Sequence, residues 1–385
     1  MTLRATTSSR PSSVAGNLPI PLFRAPVDIT AAAALAPVFA AGQLATGEWV
    51  AQFEAALAAY LGTADCLATS DRSGALTLAL RLAGVGPGAE VLLSPLVCLA
   101  TSMPIANLFA TPVWCDVDPH TGMCDVDDVA RRITPRTKAI VLYHWAGDVG
   151  ALARLRELAD THRLTLISDA SAALGASYQQ SSLACAPADF TALSFYAVNP
   201  LTTGDGGALI CHAPAQRARA RRLRRYGIHQ ESFRLVNGDL NPHSDIPEMG
   251  YNFAPTNLSG ALGLAQLNGL DTRLATQRAN GKYFDHALTG CDGVTLLRRD
   301  PATTSAYWVY ALRAERRDDL IRKLASHGIG TQRLHLRSDR YSYFSAASTL
   351  PGVDLFDREN LCIPSGWWVD AEARARIVEF IQHGW

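Results

Sequence analysis

The segment LISDASAALGA, residues 166–176, is the clearest indication of the fold class. A short apolar run over 164–168 leads into it, and Asp169 follows directly where that run ends. Similar apolar runs alternate with helical patterns on both sides, which predicts a mostly parallel sheet covered by helices on both faces. Ligands of such sheets bind at the carboxyl ends of the strands. We therefore expect a site beside Asp169.

The same alternation extends in both directions from this stretch. Predicted strands lie at 90–93, 111–116, 139–143, 164–168 and 307–312. Predicted helices lie at 73–83, 151–162, 258–288, 317–327 and 371–383, and another passes through the apolar positions 50, 53, 57 and 60. Asp116, His144, Asp169 and the region of Ser194 each follow a strand-like run. We expect these four positions to meet at one site.

Length and composition predict more than one compact unit. The chain has 385 residues, and 48% of them are hydrophobic, which is enough to bury a large core. A Ser/Pro-rich beginning predicts a flexible N-terminal arm over residues 1–25. We expect a large domain over 26–274 and a smaller C-terminal α/β domain over 275–385.

Charge and cysteine usage exclude several classes of partner. The 35 basic side chains balance the 35 acidic ones, so nothing indicates binding to nucleic acid or to an anionic membrane. No apolar stretch predicts a membrane span or a signal peptide, which favours a cytoplasmic protein. Eight scattered cysteines without CxxC spacing disfavour a zinc site or a disulfide framework, and we expect no metal. Lysine is scarce, with only Lys138, Lys282 and Lys323 in the chain.

Six ordered blocks between about residues 40 and 380 carry a resemblance to a known family. They are GQLATGEWVAQFE (42–54), GALTLAL (74–80), VLYHWAGD (141–148), LISDASAALGA (166–176), SFYAVNPLTTGDGG (194–207) and GYNFAPTNLSGALGLAQL (250–267). The chain thereby resembles the DegT-type sugar aminotransferases of PLP fold type I. The resemblance implies a mostly parallel α/β sheet sandwiched by helices and a small-molecule substrate. It also implies a homodimer with the site at the subunit interface.

The resemblance assigns cofactor positions residue by residue. In the family, an aspartate pairs with the pyridine nitrogen of PLP or PMP, and Asp169 stands at that position. Ser73 and Ser194 match hydroxyls that hold the phosphate, and Asn252 matches a residue that reaches it from the neighbouring subunit. Each of these residues has a plain alternative reading as a helix cap or turn residue.

Departures from the family pattern fall on the same site. The family lysine that forms the Schiff base aligns with Asn199, whose amide is not nucleophilic enough to do so. The glycine of the phosphate loop aligns with Arg72, beside Asp71, where backbone amides would approach the phosphate. Three further cofactor contacts align with Cys98, Ala172 and Ala254. We therefore expect a protein that is not an ordinary aminotransferase.

The sequence is compatible with three functions. The first is a small-molecule enzyme in a sugar or secondary-metabolite pathway, without a covalently bound cofactor. Its candidate residues for acid–base chemistry and ligand binding are Asp169, His144, Asn199, Tyr196, Arg72 and Asp71.

The second function is a dehydratase-like enzyme that uses PLP or PMP on a keto-sugar. Its general base would be His144, His229 or His243 in place of the lysine. The third is a non-catalytic partner of an active aminotransferase, to which it would supply Asn252 across the interface.

Overall fold

The structure, a computed structural model, describes residues 18–27, 29–344 and 349–385. The strands are β1 (Leu67–Thr69), β2 (Glu90–Leu93), β3 (Thr111–Trp114), β4 (Val117–Asp118), β5 (Met123–Cys124), β6 (Thr137–Tyr143), β7 (Thr165–Asp169), β8 (Ser177–Tyr178), β9 (Ser181–Ser182), β10 (Phe190–Ser194), β11 (Gly207–Cys211), β12 (Val294–Leu296), β13 (Thr303–Thr304), β14 (Tyr310–Ala314) and β15 (Asn360–Ile363).

The α-helices of the described residues are α1 (Ile29–Ala33), α2 (Ala36–Ala41), α3 (Glu48–Leu61), α4 (Arg72–Leu82), α5 (Leu99–Asn107), α6 (Val126–Arg131), α7 (Leu152–His162), α8 (Pro214–Arg224), α9 (Asn257–Leu267), α10 (Leu270–Ala287), α11 (Arg317–Ser326), α12 (Pro351–Glu359) and α13 (Ala371–Gln382).

A seven-stranded sheet forms the centre of the molecule, in the order β1-β11-β10-β7-β6-β2-β3. The five strands from β10 to β3 pair in parallel, whereas β11 is antiparallel to both β10 and β1. This confirms the predicted α/β class with a mostly parallel sheet. Parallel pairing also brings the carboxyl ends of β6, β7 and β10 to one edge of the sheet, where Tyr143, Asp169 and Ser194 lie.

Both faces of the sheet are buried, which is why the strands are continuous apolar runs. Side chains of a strand alternate between faces. In β6, Val141 and Tyr143 belong to one core cluster, while Ile140 and Leu142 belong to another. The helices therefore cover the sheet on two sides, as the sequence pattern predicts.

A second core lies in the C-terminal part, around the small sheet β12-β14-β15. Phe284, Tyr310 and Ile377 are fully buried in it. Part of the predicted N-terminal arm is attached there, because Ile20 pairs with Ile329 and Trp368 Nε1 donates a 2.8 Å hydrogen bond to the carbonyl of Pro21. Residues 1–17 lie outside the described residues, and the boundaries at 25 and 274 stay predictions.

The predicted helix over 258–288 is in fact two helices. α9 ends at Leu267 and α10 begins at Leu270, with Gly269 between them at a φ of +81°. A glycine adopts this left-handed conformation without steric cost, so the chain can turn there. The apolar periodicity continues across residue 269, so it does not predict the break between the two helices.

The described part of the chain contains neither a candidate membrane-spanning helix nor a candidate metal site. No helix there is long and apolar enough to cross a membrane. No group of three or more His, Cys, Asp and Glu side chains in the described ranges is arranged to hold a metal ion.

Candidate active site

A cavity of about 510 Å³ opens at the carboxyl edge of β6, β7 and β10. Several residues singled out from the sequence line it, namely Asp71, Arg72, Ser73, Cys98, Ala172, Ser194, Tyr196 and Asn199. Sequence reasoning did not find the rest of the lining, which includes Phe23, Tyr143, Ser171, Asp205, Trp308 and His335.

Asp169 and Arg72 form the charged centre of this region. Asp169 is fully buried, and its carboxylate accepts hydrogen bonds from Thr101 Oγ1 at 2.7 Å and from the backbone N–H of Ser171 at 3.1 Å. Arg72 Nη1 donates to Ser171 Oγ at 2.7 Å. Burial lowers the pKa of Arg72, but Asp169, Cys98 and Tyr143 together raise it by more, so the net pKa is raised. The carboxylate of Asp169 is thus balanced by a cation from its own chain.

The N-terminus of α4, which would attract a phosphate, already carries a carboxylate. Asp71 is the N-cap, and its carboxylate accepts from the Gly74 N–H and from Ser70 Oγ, both at 2.8 Å. Asp205 lies nearby. Burial raises the pKa of Asp205, the charge of Asp71 raises it further, and Arg72 opposes both. An anion at the N-terminus of α4 would meet these two carboxylates beside the Arg72 guanidinium.

The Asn199 side chain is buried and fixed by the backbone. Its Nδ2 donates to the carbonyl of Ser194 at 2.8 Å and to that of Ser171 at 3.4 Å. The amide therefore links the segments that follow β10 and β7. Tyr196 lies at the rim of the cavity, where its side chain is exposed.

None of the three lysines in the chain lines this cavity. Lys138 and Lys282 are exposed, and Lys323 Nζ donates to the carbonyl of Gly384 near the C-terminus. No lysine amine stands where an aldimine with a ligand in the cavity would form.

Of the four strand-end positions, Ser194 lines the cavity, whereas His144 and Asp116 do not, although the His144 N–H donates to the carbonyl of Asp169 at 3.1 Å. His144 is fully buried, with Nε2 2.8 Å from Ser168 Oγ, and its Nδ1 accepts from the Gly150 N–H at 3.3 Å. Burial lowers the pKa of His144 to about 4, with Asp169 opposing. Asp116 accepts backbone N–H bonds from the first turn of α12.

Three more sequence candidates lie away from this protomer's cavity. His229 and His243 are exposed in the segment after α8 and do not line the cavity. Asn252 is also exposed, and its backbone pairs with Arg225.

His335 is the histidine of the cavity lining, and the sequence analysis did not find it. Its Nε2 lies 2.9 Å from the hydroxyl of Tyr143. Burial lowers the pKa of His335 to about 4, Arg72 lowers it further, and Asp169 opposes. Burial likewise raises the pKa of Tyr143 well above its ordinary value. His335 follows no strand, so the strand-end pattern could not reveal it.

Comparisons with known proteins agree with this architecture. The model of the DegT/DnrJ/EryC1/StrS aminotransferase family matches residues 28–382. The dTDP-4-dehydro-2,3,6-trideoxy-D-glucose 4-aminotransferase of Saccharopolyspora spinosa is 32% identical over 90% of this chain and 92% of its own length.

Two solved structures are similar along nearly the whole chain. The sugar aminotransferase CalS13 of Micromonospora echinospora is 34% identical, with a TM-score of 0.90 over 95% of this chain and 100% of its own. AtS13 of Actinomadura melliaura is 35% identical, with a TM-score of 0.91 over 96% of this chain and 100% of its own.

Proposed function

The chain belongs to the DegT/DnrJ/EryC1/StrS aminotransferase family, and we propose that it is a member that no longer transfers amino groups. It keeps the family's cleft and uses it for acid–base chemistry on a small keto-sugar, without a covalently bound cofactor. The predicted homodimer, in which Asn252 would reach the partner's cleft, is part of this proposal and rests on the family resemblance.

The contact that carries the proposal is that between Arg72 and Ser171 beside Asp169. In the family the aspartate serves the ring nitrogen of PLP, whose positive charge it stabilises. Here the guanidinium of Arg72 supplies that positive charge. The contact also places the Arg72 side chain across the cavity floor, because its Nη1 lies 2.7 Å from Ser171 Oγ.

Two further features disfavour PLP as the ligand. The carboxylate of Asp71 caps α4 where the family binds the phosphate, and Asp205 adds a second acidic group. Asn199, which the resemblance places at the lysine position, has its amide nitrogen bonded to backbone carbonyls. The residues present do not fit the cofactor.

The cavity suits the keto-sugar part of an oxygen-rich ligand. Its volume of about 510 Å³ is that of an ordinary ligand pocket. Phe23 and Trp308, with ring centroids 5.0 Å apart, supply an apolar wall, while Arg72 supplies a cation for a carbonyl oxygen. The relative from Saccharopolyspora spinosa is named for a nucleotide-linked keto-sugar. We propose the same substrate class here.

Hydrogen exchange next to the keto group tests this function. We expect the purified protein, with no cofactor added, to catalyse incorporation of solvent deuterium into dTDP-4-dehydro-2,3,6-trideoxy-D-glucose at the carbons beside its 4-keto group. Proton NMR in D₂O measures the rate against a sample without protein. Formation of an amino sugar with PLP and glutamate, and no exchange without them, would contradict the proposal.

A further inference from the structure

We propose that His335, paired with Tyr143, transfers the proton in this cavity, and that Arg72 binds the carbonyl oxygen of the substrate. The assignment rests on the proposed function and names the residues that perform it. Among the described residues that line the cavity, His335 is the only histidine. A neutral imidazole has one nitrogen without a proton, and this nitrogen can accept one.

The position of His335 is fixed from two sides. Its ring meets that of Tyr143 edge-on, with centroids 5.7 Å apart, and Nε2 is hydrogen-bonded to the Tyr143 hydroxyl. Three residues further along, the Ser338 N–H donates to the carbonyl of Pro95 at 2.8 Å, and Ser338 Oγ donates to that of Val97 at 3.2 Å. These bonds fasten the segment after α11 to the loop that follows β2, so the imidazole is held at the cavity.

The charged and titratable groups around His335 are Arg72, Asp169 and Tyr143. Burial and the charge of Arg72 keep the imidazole neutral down to about pH 4, since they lower its pKa to about that value. Burial also keeps the Tyr143 phenol protonated, because its pKa is raised. A neutral imidazole has one nitrogen free of a proton, so His335 is in its proton-accepting form at neutral pH.

The proposed step needs no oxidant or reductant. The C–H bond next to the carbonyl breaks, its proton goes to the imidazole of His335, and its electron pair forms the C=C bond of an enolate. The negative charge moves to the former carbonyl oxygen, where the Arg72 guanidinium stabilises it. Exchange of the imidazolium proton with solvent, followed by return of a proton to carbon, regenerates the ketone with a solvent hydrogen.

Two variants and a matched control test this assignment. We expect His335→Gln to lower the exchange rate on dTDP-4-dehydro-2,3,6-trideoxy-D-glucose by about 100-fold or more, because general base catalysis contributes that much. The Kd of the same sugar nucleotide, measured by calorimetry, should change little. His229→Gln, at an exposed histidine outside the cavity, should behave like the unsubstituted protein.

The pH profile separates a chemical role from a structural one. The exchange rate of the unsubstituted protein should stay constant from pH 8 to about pH 5, whereas an ordinary histidine base would lose activity near its usual pKa of about 6.5. Tyr143→Phe, which keeps the ring but removes the hydroxyl, should move the midpoint of this profile. That variant tests the pair even where His335→Gln does not fold.

The possible results distinguish a failure of the His335–Tyr143 assignment from a failure of the proposed function. Exchange by His335→Gln at the rate of the unsubstituted protein would overturn the assignment and leave the proposed function standing. An unmoved midpoint in Tyr143→Phe would also overturn the pair. Absence of exchange in the unsubstituted protein would instead overturn the proposed function itself.

Discussion

Restoring the lysine alone leaves PLP binding weak. In Asn199→Lys we expect an apparent PLP affinity about a thousandfold below that of a variant that also carries Asp71→Ser, Arg72→Gly and Cys98→Tyr. Three losses of about 1.4 kcal/mol each produce a difference of this size. Titration with PLP, followed at the absorption band of the aldimine, measures both affinities.

Each added substitution removes one obstacle. Arg72→Gly removes the positive charge beside Asp169, together with its bond to Ser171, and opens the backbone to a phosphate. Asp71→Ser keeps an N-cap on α4 but removes its negative charge. Cys98→Tyr supplies a ring for stacking, worth about 0.5–1.5 kcal/mol beyond its buried area.

A matched control tests whether replacing an arginine outside the cavity by glycine has the same effect on PLP binding. Arg163 is exposed at the end of α7 with a φ of +55°, so glycine fits its backbone conformation. Asn199→Lys with Arg163→Gly should bind PLP as weakly as Asn199→Lys alone. Saturation of Asn199→Lys at low micromolar PLP would show that the cavity is still a cofactor site.

Removing the Glu54 carboxylate should destabilise the fold by about 3–5 kcal/mol, because it leaves a buried arginine without its partner. Glu54 is buried in α3 and accepts hydrogen bonds from Arg224, from Arg221 and from the Ala68 N–H. Arg224 is buried as well. The free energy of unfolding of Glu54→Ala, measured by urea denaturation, gives the size of this effect.

Glu48 provides the control in the same helix. It is exposed in the first turn of α3, where its carboxylate accepts only from the neighbouring Gln52 among the side-chain bonds described. Glu48→Ala should therefore cost no more than about 1 kcal/mol. If Glu54→Ala and Glu48→Ala lowered the free energy of unfolding equally, the buried pair of Glu54 and Arg224 would not stabilise the contact of α3 with β1 and α8.

The fold was predictable because its strands are buried on both faces. In β2, predicted at 90–93, Glu90 is followed by three apolar residues between turn residues, and the structure gives the same bounds. The break at Gly269 was not predictable from periodicity, because a single left-handed glycine changes the direction of a helix without interrupting its apolar pattern.

The site was predictable only in part, for a geometrical reason. Strand-end and helix-start positions from neighbouring elements, such as Arg72 and Asn199, come together because the parallel sheet aligns those ends. His144 also follows a strand, but side chains alternate between the two faces, and Tyr143 faces the cavity instead. Phe23 and His335 arrive from segments remote in sequence, for which a local pattern gives no signal.

We expect that this cleft does not form an aldimine with PLP, and the unsubstituted protein is the material on which to test this. The protein is incubated with PLP, its visible spectrum is recorded, and it is reduced with borohydride before mass spectrometry. We predict no aldimine band and no phosphopyridoxyl adduct, since none of the three lysines of the chain lines the cavity. A stoichiometric adduct on Lys138, Lys282 or Lys323, accompanied by an aldimine band, would contradict the account.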